Sequence, residues 1–402
     1  MQSYIFFTPN INNLGGAEIY VSNKANWLSM NGYRVVIIST KKGDILLKDL
    51  YKHRESIITE LAWPPHFYCK FRRELIINKI IKIIGETKEA SIIESNSILI
   101  SPWGEIVANH LNSKHIVFSL QEINSTKFKD LFYFVDFKNK RGELAGIKQE
   151  SFKNIFKNTW NKTRVLVAYQ DNSPKDIKCE IKEKIRPADF TIASIGRLEK
   201  PYVIPILKDV VNYVKQKQDY KFNFLFIGGT DHSVQLNRIK KIVKGTDNLK
   251  LYITGFIYPV PISLIMVPDL FISSAGSCRM SAMHGKLTIS IDTNDFKPIG
   301  IFGVNTNNTI HRVNEEKVEL ENLIDDILMK NLYKSSEFKY NVDPIEPNYQ
   351  DHINFINNSR KSKDYYQFDF DSDISPIIKG VITFFSPSIV KLAITLKKLF
   401  QA

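Results

Sequence analysis

The opening stretch SYIFFTPNINNLGGAEIYVSNKANWLSMNGYRVVIIST, residues 3–40, constrains the fold more than any other part of the chain. A short apolar run, YIFF, meets the turn chemistry of NINNLGG. Ala17, Tyr20, Val21, Ala25 and Leu28 then recur at helical spacing. GYRVVIIST follows as a β-branched run suited to a buried strand. Strand, helix and strand in that order predict a parallel pair joined by a right-handed crossover.

The alternation continues. ASIIES, ILISP, HIVFSL and RVLVAY read as strands, separated by helical stretches such as RRELIINKIIKIIGE and EIVANHLN. The polar, charged QDNSPKDIKCEIKEKIRPAD interrupts it, and the pattern restarts with FTIASIGRLEK, ILKDVVNYVKQK, FNFLFIGG, LNRIKKIVKG, LKLYITG, DLFISSAG and KLTISID. A chain of 402 residues suits two domains of moderate size. The expected fold is therefore α/β, with two doubly wound, Rossmann-like domains facing a central cleft. The expected boundaries are 1–175, a linker at 176–188, 189–340, and a tail at 341–402. In such sheets ligands bind beyond the carboxyl ends of the strands.

Composition removes several function classes. At 43% hydrophobic and 12% aromatic residues, the chain can bury real cores. Cys69, Cys179 and Cys278 lie far apart with no C-x-x-C, which points to a reducing compartment and no structural zinc. The start lacks a basic region followed by an apolar run, so no signal peptide is expected. No stretch approaches the ~20 apolar residues of a membrane span. The net charge of +13 suits nucleic acid, anionic lipid or nucleotide phosphate, and equally a lysine-rich solvated surface. Nucleic acid is disfavoured, because no interleaved aromatics or known module accompany the charge.

The informative residues follow strands of the second half. Gly196 ends a strand and is followed by Arg197 and Lys200, cations that suit a diphosphate where glycine permits close backbone approach. Ser277 reads as an N-cap and Gly285 as a stop for the short helix CRMSAMH, with Arg279 in its first turn. A cation at the positive end of a helix dipole is unfavourable unless an anion sits nearby. Gly15 and Gly16 follow the first strand and precede a helix. No G-x-G-x-x-G or G-x-x-x-x-G-K-[ST] loop is present. Solvated loops and tight strand–helix connections account for the same residues, so both readings stand at this level.

Taken in order, GGAE, SIGRLEK, FLFIGG, YITGF and PDLFISSAG resemble the nucleotide-sugar glycosyltransferases of the GT-B fold. Within them the chain resembles glycosyltransferase family four, retaining enzymes that build bacterial capsule, O-antigen and lipopolysaccharide sugars. The resemblance implies that Arg197 and Lys200 hold the donor diphosphate, and that Gly15 and Gly16 approach it from the other domain. It places Phe256 and Ile257 beside the nucleobase, and Gly276, Ser277 and Arg279 beside the donor sugar and phosphates. It implies a nucleoside-diphosphate sugar as donor, a glycan or lipid-linked glycan as acceptor, no cofactor or metal, and a tail whose last helix packs back on the first domain.

One departure from that family is clear. Its two glutamates, eight positions apart, have no counterpart, since no Asp or Glu occurs from Phe271 to Ile291. Ser273 and Met280 or Ser281 stand in their place. Either Ser277, Arg279 and backbone amides hold the sugar, with Asp292 or Asp295 reaching it, or the chain is a silent GT-B-like subunit that binds a glycan or a partner transferase.

An acceptor base is sought at strand ends of the first half, where Glu122 and Glu105 lie. Both also suit helix N-termini, and in a retaining transfer the donor's phosphate can take the proton. Asp371 and Asp373 form a D-x-D pair, but in a polar tail rather than at a strand end, and the eight histidines show no zinc spacing. Two basic amphipathic stretches, CKFRRELIINKIIKIIGETK and SPSIVKLAITLKKLFQA, suit either core packing or an anionic membrane surface. The location that fits is the cytoplasm, peripheral at the inner membrane's cytoplasmic face.

Overall fold

The computed structural model describes residues 1–12, 14–41, 43, 45–85, 91–121, 124–126, 129–169, 173–333, 348–359 and 364–370. The chain divides into two compact units, one drawn from Met1–Asp171 with Ile345–Ala402 and the other from Asn172–Pro344.

In the first unit the described strands are β1 (Ser3–Thr8), β2 (Arg34–Ser39), β3 (Arg54–Ile57), β4 (Ile92–Ser95), β5 (Lys114–Ser119), β6 (Leu144–Gly146) and β7 (Arg164–Val165). They form a wholly parallel sheet in the order β3-β2-β1-β4-β5-β6-β7. The strand order reverses between β1 and β4. Helices α1 (Gly16–Met30), α2 (Lys70–Ile84), α3 (Ser101–Leu111) and α4 (Lys129–Lys140) supply the crossovers. The opening βαβ unit is as expected, with Ser3 paired to Arg34 and Thr8 to Ser39. ILISP is not a strand. Ile98 and Ile100 are buried in a turn, and α3 begins at Ser101 with Pro102 in its first turn, where a missing N–H costs nothing. RVLVAY yields only the two exposed residues of β7.

On α2, Ile76, Ile77, Ile80 and Ile84 pack into the core beside Ile5, Phe7 and Trp103. Its outward face carries Lys70, Lys79 and Lys82 together with exposed Phe71 and Leu75. No helix of the described residues is long and apolar enough to cross a membrane.

The second unit repeats the scheme with β8 (Phe190–Ile195), β9 (Phe222–Ile227), β10 (Leu249–Ile253), β11 (Leu270–Ser273), β12 (Thr288–Ile291) and β13 (Pro298–Ile301). Its order is β10-β9-β8-β11-β12-β13, parallel except for the antiparallel edge pair β12–β13. The helices are α5 (Val203–Gln216), α6 (Ser233–Val243), α7 (Ile262–Ile265), α8 (Gly276–Ala282) and α9 (Leu320–Leu328). On α5, Val203, Ile206, Leu207, Val210 and Val214 follow the helical period into a core shared with Leu323, Ile324 and Ile327 of α9. The segment read as a linker packs with this unit. Lys175 N–H donates to the Val260 carbonyl (2.9 Å), Cys179 and Ile185 lie against the apolar cluster around Leu264, and Asn223 donates to the Arg186 carbonyl (2.7 Å).

The tail returns to the first unit as α10 (Gln350–Asn358) and the strap 364–370. The final basic stretch, 386–402, and the Asp371/Asp373 pair lie outside the described residues.

Two buried polar networks hold this unit together. Glu94 on β4 is fully buried and accepts from Lys24 Nζ (2.5 Å), Tyr4 Oη (2.5 Å), Tyr20 Oη (2.9 Å) and Asn96 Nδ2 (2.8 Å). Lys24 also donates to His352 Nδ1 (3.1 Å), while His352 Nε2 donates to the Val167 carbonyl (2.9 Å), so α10 is docked through a neutral imidazole. In the second network Glu105 accepts from His115 Nδ1 (2.7 Å), Lys138 Nζ (2.6 Å) and the Tyr366 amide (3.0 Å). Ser95 Oγ lies 2.9 Å from His115 Nε2. A Cβ on Gly104 would stand 2.5 Å from that hydroxyl and 2.6 Å from that nitrogen, so only glycine admits the pair.

Burial lowers both imidazoles to about 4, helped by Lys138 at His115 and by Lys24 at His352. The fold holds them neutral, whereas the unfolded chain takes up protons near pH 6.5. Their contribution to stability is therefore complete above pH 6.5 and is lost as pH falls toward 4. The loss is on the order of 3 kcal/mol for each imidazole. Urea denaturation at pH 7.5 and pH 4.5 measures it, and equal unfolding free energies at the two values would contradict the assignment.

Candidate functional site

In the second sheet the strand order reverses between β8 and β11, so the chain leaves these two neighbours in opposite directions. The carboxyl ends of strands at such a divergence are the place where open α/β sheets bind ligands. The turn after β8 carries Gly196, Arg197 and Lys200; β11 leads through Ser274 and Ala275 into α8, whose first turn carries Gly276, Ser277 and Arg279.

The structure brings part of this set together. A Cβ built on Gly196 would lie 3.1 Å from Lys200 Nζ and 3.7 Å from Ser277 Oγ. The ammonium, the hydroxyl and a bare stretch of backbone thus converge at the switch point. The Lys200 ammonium also stands 5.5 Å from the ring centre of buried Tyr202. Ser273 ties the two strands, its Oγ accepting from the Ile195 amide (3.3 Å). Arg197 is exposed, and among the described residues its guanidinium makes no ion pair.

Arg279 is placed differently. Two residues beyond Ser277, it is turned about 200° around the helix at 3.6 residues per turn. It is exposed, and no hydrogen bond or ion pair among the described residues joins it to Lys200 or Ser277. The expected cap also differs. α8 begins at Gly276 with Ala275 as its N-cap, and Ser277 lies one position inside the helix rather than before it.

Glycines that the sequence marks only as turns prove to be packing sites. A Cβ on Gly228 would stand 2.0 Å from the Gly196 carbonyl oxygen, and one on Gly229 would stand 2.7 Å from the Phe256 amide nitrogen. The turns after β8, β9 and β10 therefore meet backbone to backbone. Further bonds lock them: Gly196 N–H to the Ile227 carbonyl (3.0 Å), Leu198 N–H to the Gly229 carbonyl (3.1 Å) and Gly228 N–H to Thr254 Oγ1 (2.9 Å). Beside them opens a groove of about 690 Å³ lined by Leu198, Thr230, Leu236, Lys240, Leu251 and Gly255. Phe256 borders Gly229 through its backbone, whereas Ile257 packs into the cluster around Leu264.

The carboxylates fall elsewhere. Asp292 accepts from the amides of Asn294 and Arg312 (both 2.8 Å), and Asp295 pairs with Arg312 (3.1 Å) and Lys317 (3.6 Å). The hydrogen bond from Arg312 leads the causes holding Asp295 below the ordinary carboxylate range. Both acids are committed to organising residues 292–317. Met280 packs against the Leu264 cluster, and Ser281 is buried with Oγ 2.8 Å from Thr288 Oγ1. Among the described residues no group of three or more His, Cys, Asp or Glu is placed to hold a metal ion.

In the first unit, Gly15 is the extended N-cap of α1 and Gly16 its first residue, following β1 at that sheet's own switch point. Glu105 requires a correction. It is not at a strand end but in the middle of α3, 1% exposed and saturated by His115, Lys138 and Tyr366. Lys138 and His115 hold it ionised at about 2 against the opposing effect of burial. A base so enclosed cannot meet an acceptor. Ser95, His115 and Glu105 have the spacing of a nucleophile relay, yet Ser95 is completely buried, so no substrate reaches it. Glu122 lies outside the described residues.

The close approach at Gly228 yields a direct test. Gly228→Ala inserts a methyl into the Gly196 carbonyl at a φ of 153°, and should destabilise the second unit by about 3 kcal/mol or more. Thermal unfolding reads this, and a variant that melts with the parent would refute the packing.

No protein-family model matches the chain, and no curated protein matches it by sequence. Solved structures do match by shape. Anabaena Alr3699/HepE in complex with UDP-glucose aligns with a TM-score of 0.58 at 14% identity, covering 84% of this chain and 93% of that one. A glycosyltransferase from Rickettsia africae aligns at 0.54 with 16% identity, covering 84% and 90%. S. aureus MnaA, solved with UDP, aligns at 0.50 with 10% identity, covering 90% and 99%. At these identities the likeness concerns the fold: two Rossmann-like α/β domains with parallel sheets, as in the GT-B neighbours.

Proposed function

We propose that the chain is a GT-B glycosyltransferase that moves a hexose-type sugar from a nucleoside-diphosphate donor to a cell-surface polysaccharide or lipid-linked glycan, with retention. The observation that carries this reading is the convergence of Lys200 Nζ and Ser277 Oγ on the backbone of Gly196 at the β8–β11 switch point. Solved structures of the same fold hold UDP or UDP-glucose, which supports a nucleotide donor.

In this reading Lys200 and Arg197 neutralise the diphosphate as the bond to the anomeric carbon breaks. Stabilising that departing charge is the main electrostatic task. Gly196 lets the phosphates approach the backbone, and Ser277 hydrogen-bonds a phosphate oxygen. The groove from Leu198 to Gly255 takes the nucleoside. The acceptor hydroxyl bonds to the anomeric carbon, and its proton passes to the departing phosphate or to Glu122. The lysines of α2, with Phe71 and Leu75, rest on an anionic membrane surface beside a lipid-linked acceptor, which would place the protein at the cytoplasmic face. The reading invokes no metal or cofactor.

The second reading is a silent subunit that binds a glycan or partner transferase. The observation favouring it is that Ser273 and Ser281, standing where family four carries acids, are buried in the sheet and its packing. A thermal-shift screen against UDP-, GDP-, ADP- and CMP-sugars, followed by turnover with the donor that stabilises, separates the two. Binding without transfer or slow hydrolysis would select the silent subunit.

Lys200→Ala and Arg197→Ala should each weaken binding of the nucleoside diphosphate by about 1.5–3 kcal/mol, the range of charge-assisted hydrogen bonds. Calorimetry measures this. Unchanged affinity in either variant removes that residue from the site.

A further inference from the structure

The turn from β11 into α8 holds Ala275 at φ 56° and ψ −135°, a conformation that residues with a β-carbon rarely adopt. Such a backbone persists only where its surroundings enforce it. Those surroundings are a strap, residues 305–315, laid along the carboxyl ends of β11 and β12. Three successive strap carbonyls each receive donors from the strand ends. Asn308 O accepts from Ser290 Oγ (2.7 Å), Thr309 O from the Ala275 amide (2.7 Å) and Ser274 Oγ (3.0 Å), and Ile310 O from the Thr293 amide (2.9 Å).

Two carboxylates fix the strap. Asp292 anchors one point through the Arg312 amide (2.8 Å). Glu315 folds back to hold the rest. Its Oε1 accepts from Thr306 Oγ1 and Asn308 Nδ2 (2.6 Å), and its Oε2 from the amides of Val313 (2.8 Å) and Asn314 (3.2 Å). Those hydrogen bonds outweigh burial and keep the carboxyl ionised, down to about 2. All four partners are placed to donate, so an amide at this position would set its own NH2 against N–H groups.

We propose that Glu315 is a positioning residue for the nucleotide site. It pins the strap whose Thr309 carbonyl holds Ala275 in its strained turn, and the turn in turn presents Ser277 to Lys200. The inference rests on the reading that the β8–β11 switch point binds a nucleoside diphosphate.

The test measures UDP affinity by calorimetry and amide hydrogen exchange of residues 274–279. It uses the parent chain, Glu315→Gln, Ala275→Gly, the double variant, and Asn308→Ala, which removes one of the four bonds. Glu315→Gln should weaken UDP about 5–10-fold, a part of what a lost charged hydrogen bond is worth because the effect reaches the site through the strap, and speed exchange at 274–279. Asn308→Ala should act in the same direction by about 2–5-fold. The double variant should return to within about two-fold of Ala275→Gly alone, because glycine adopts this backbone without a clamp. A merely structural role for Glu315 predicts no such rescue. Parental affinity and exchange in both Glu315→Gln and Asn308→Ala, or a double variant as weak as Glu315→Gln, overturns the proposal. Should the parent chain bind neither UDP nor any nucleotide of the screen above, the functional reading loses its support, while unchanged exchange in both Glu315→Gln and Asn308→Ala still decides against the clamp.

Discussion

The carboxyl edge of the second sheet depends on how closely the ends of β8 and β9 approach. With the Gly196 carbonyl 2.0 Å from where a Gly228 side chain would begin, neither turn can move without the other. Gly229 then meets Phe256 in the same way, so three consecutive strand ends form one rigid rim. Rigidity at that rim is what places Lys200 and Leu198, since the turn they share is bonded to Gly229 on one side and runs into α5 on the other. Preorganised donors of this kind cost no rearrangement when a charged ligand arrives.

The two units treat buried charge differently. In the second, the core around α5 and α9 is apolar, and the cations stand at the rim or on the surface. In the first, Lys24, Lys138, Glu94, Glu105 and Glu143 are all enclosed and paired. Removing one partner from such a pair costs about 3–5 kcal/mol, because the other is left charged without water. These networks also explain how a chain segment more than 150 residues away in sequence belongs to the first unit. His352 enters the Glu94 network, Tyr366 enters the Glu105 network and reaches Asp130 (2.6 Å), and Phe370 stacks on Arg73 (3.8 Å).

Much of this was legible in the sequence and some was not, for identifiable reasons. Period and β-branching reveal the βαβ units, because a buried parallel strand and an amphipathic helix each have their own spacing. The same signals misread ILISP, since an apolar run of that length is buried equally well in a turn before a helix. That error moved Glu105 to a strand end and suggested a base, although its partners, His115, Lys138 and Tyr366, lie up to 261 positions away. Glycine spacing marked the turns at Gly196, Gly228 and Gly255 but not their mutual contact, which depends on strand order. Composition around Ser277 suggested a cap, yet the helix starts earlier because Thr309, outside the local window, holds Ala275.

The three positions that stand where the resembling family carries acids are all committed to packing. Ser273 lies within β11 and accepts from the neighbouring strand, so a glutamate there would replace a sheet contact with a buried charge. Ser281 faces Thr288 across a fully buried gap, and position 280 points its side chain at the Leu264 cluster. None of the three is among the side chains that approach Gly196. α8 begins from the strained backbone of Ala275, with Cys278 and Ser281 turned inward and Arg279 outward. The polar groups that do meet at Gly196 are the Lys200 ammonium and the Ser277 hydroxyl, and the strap 305–315 with Asp292 and Glu315 supports the turn behind them.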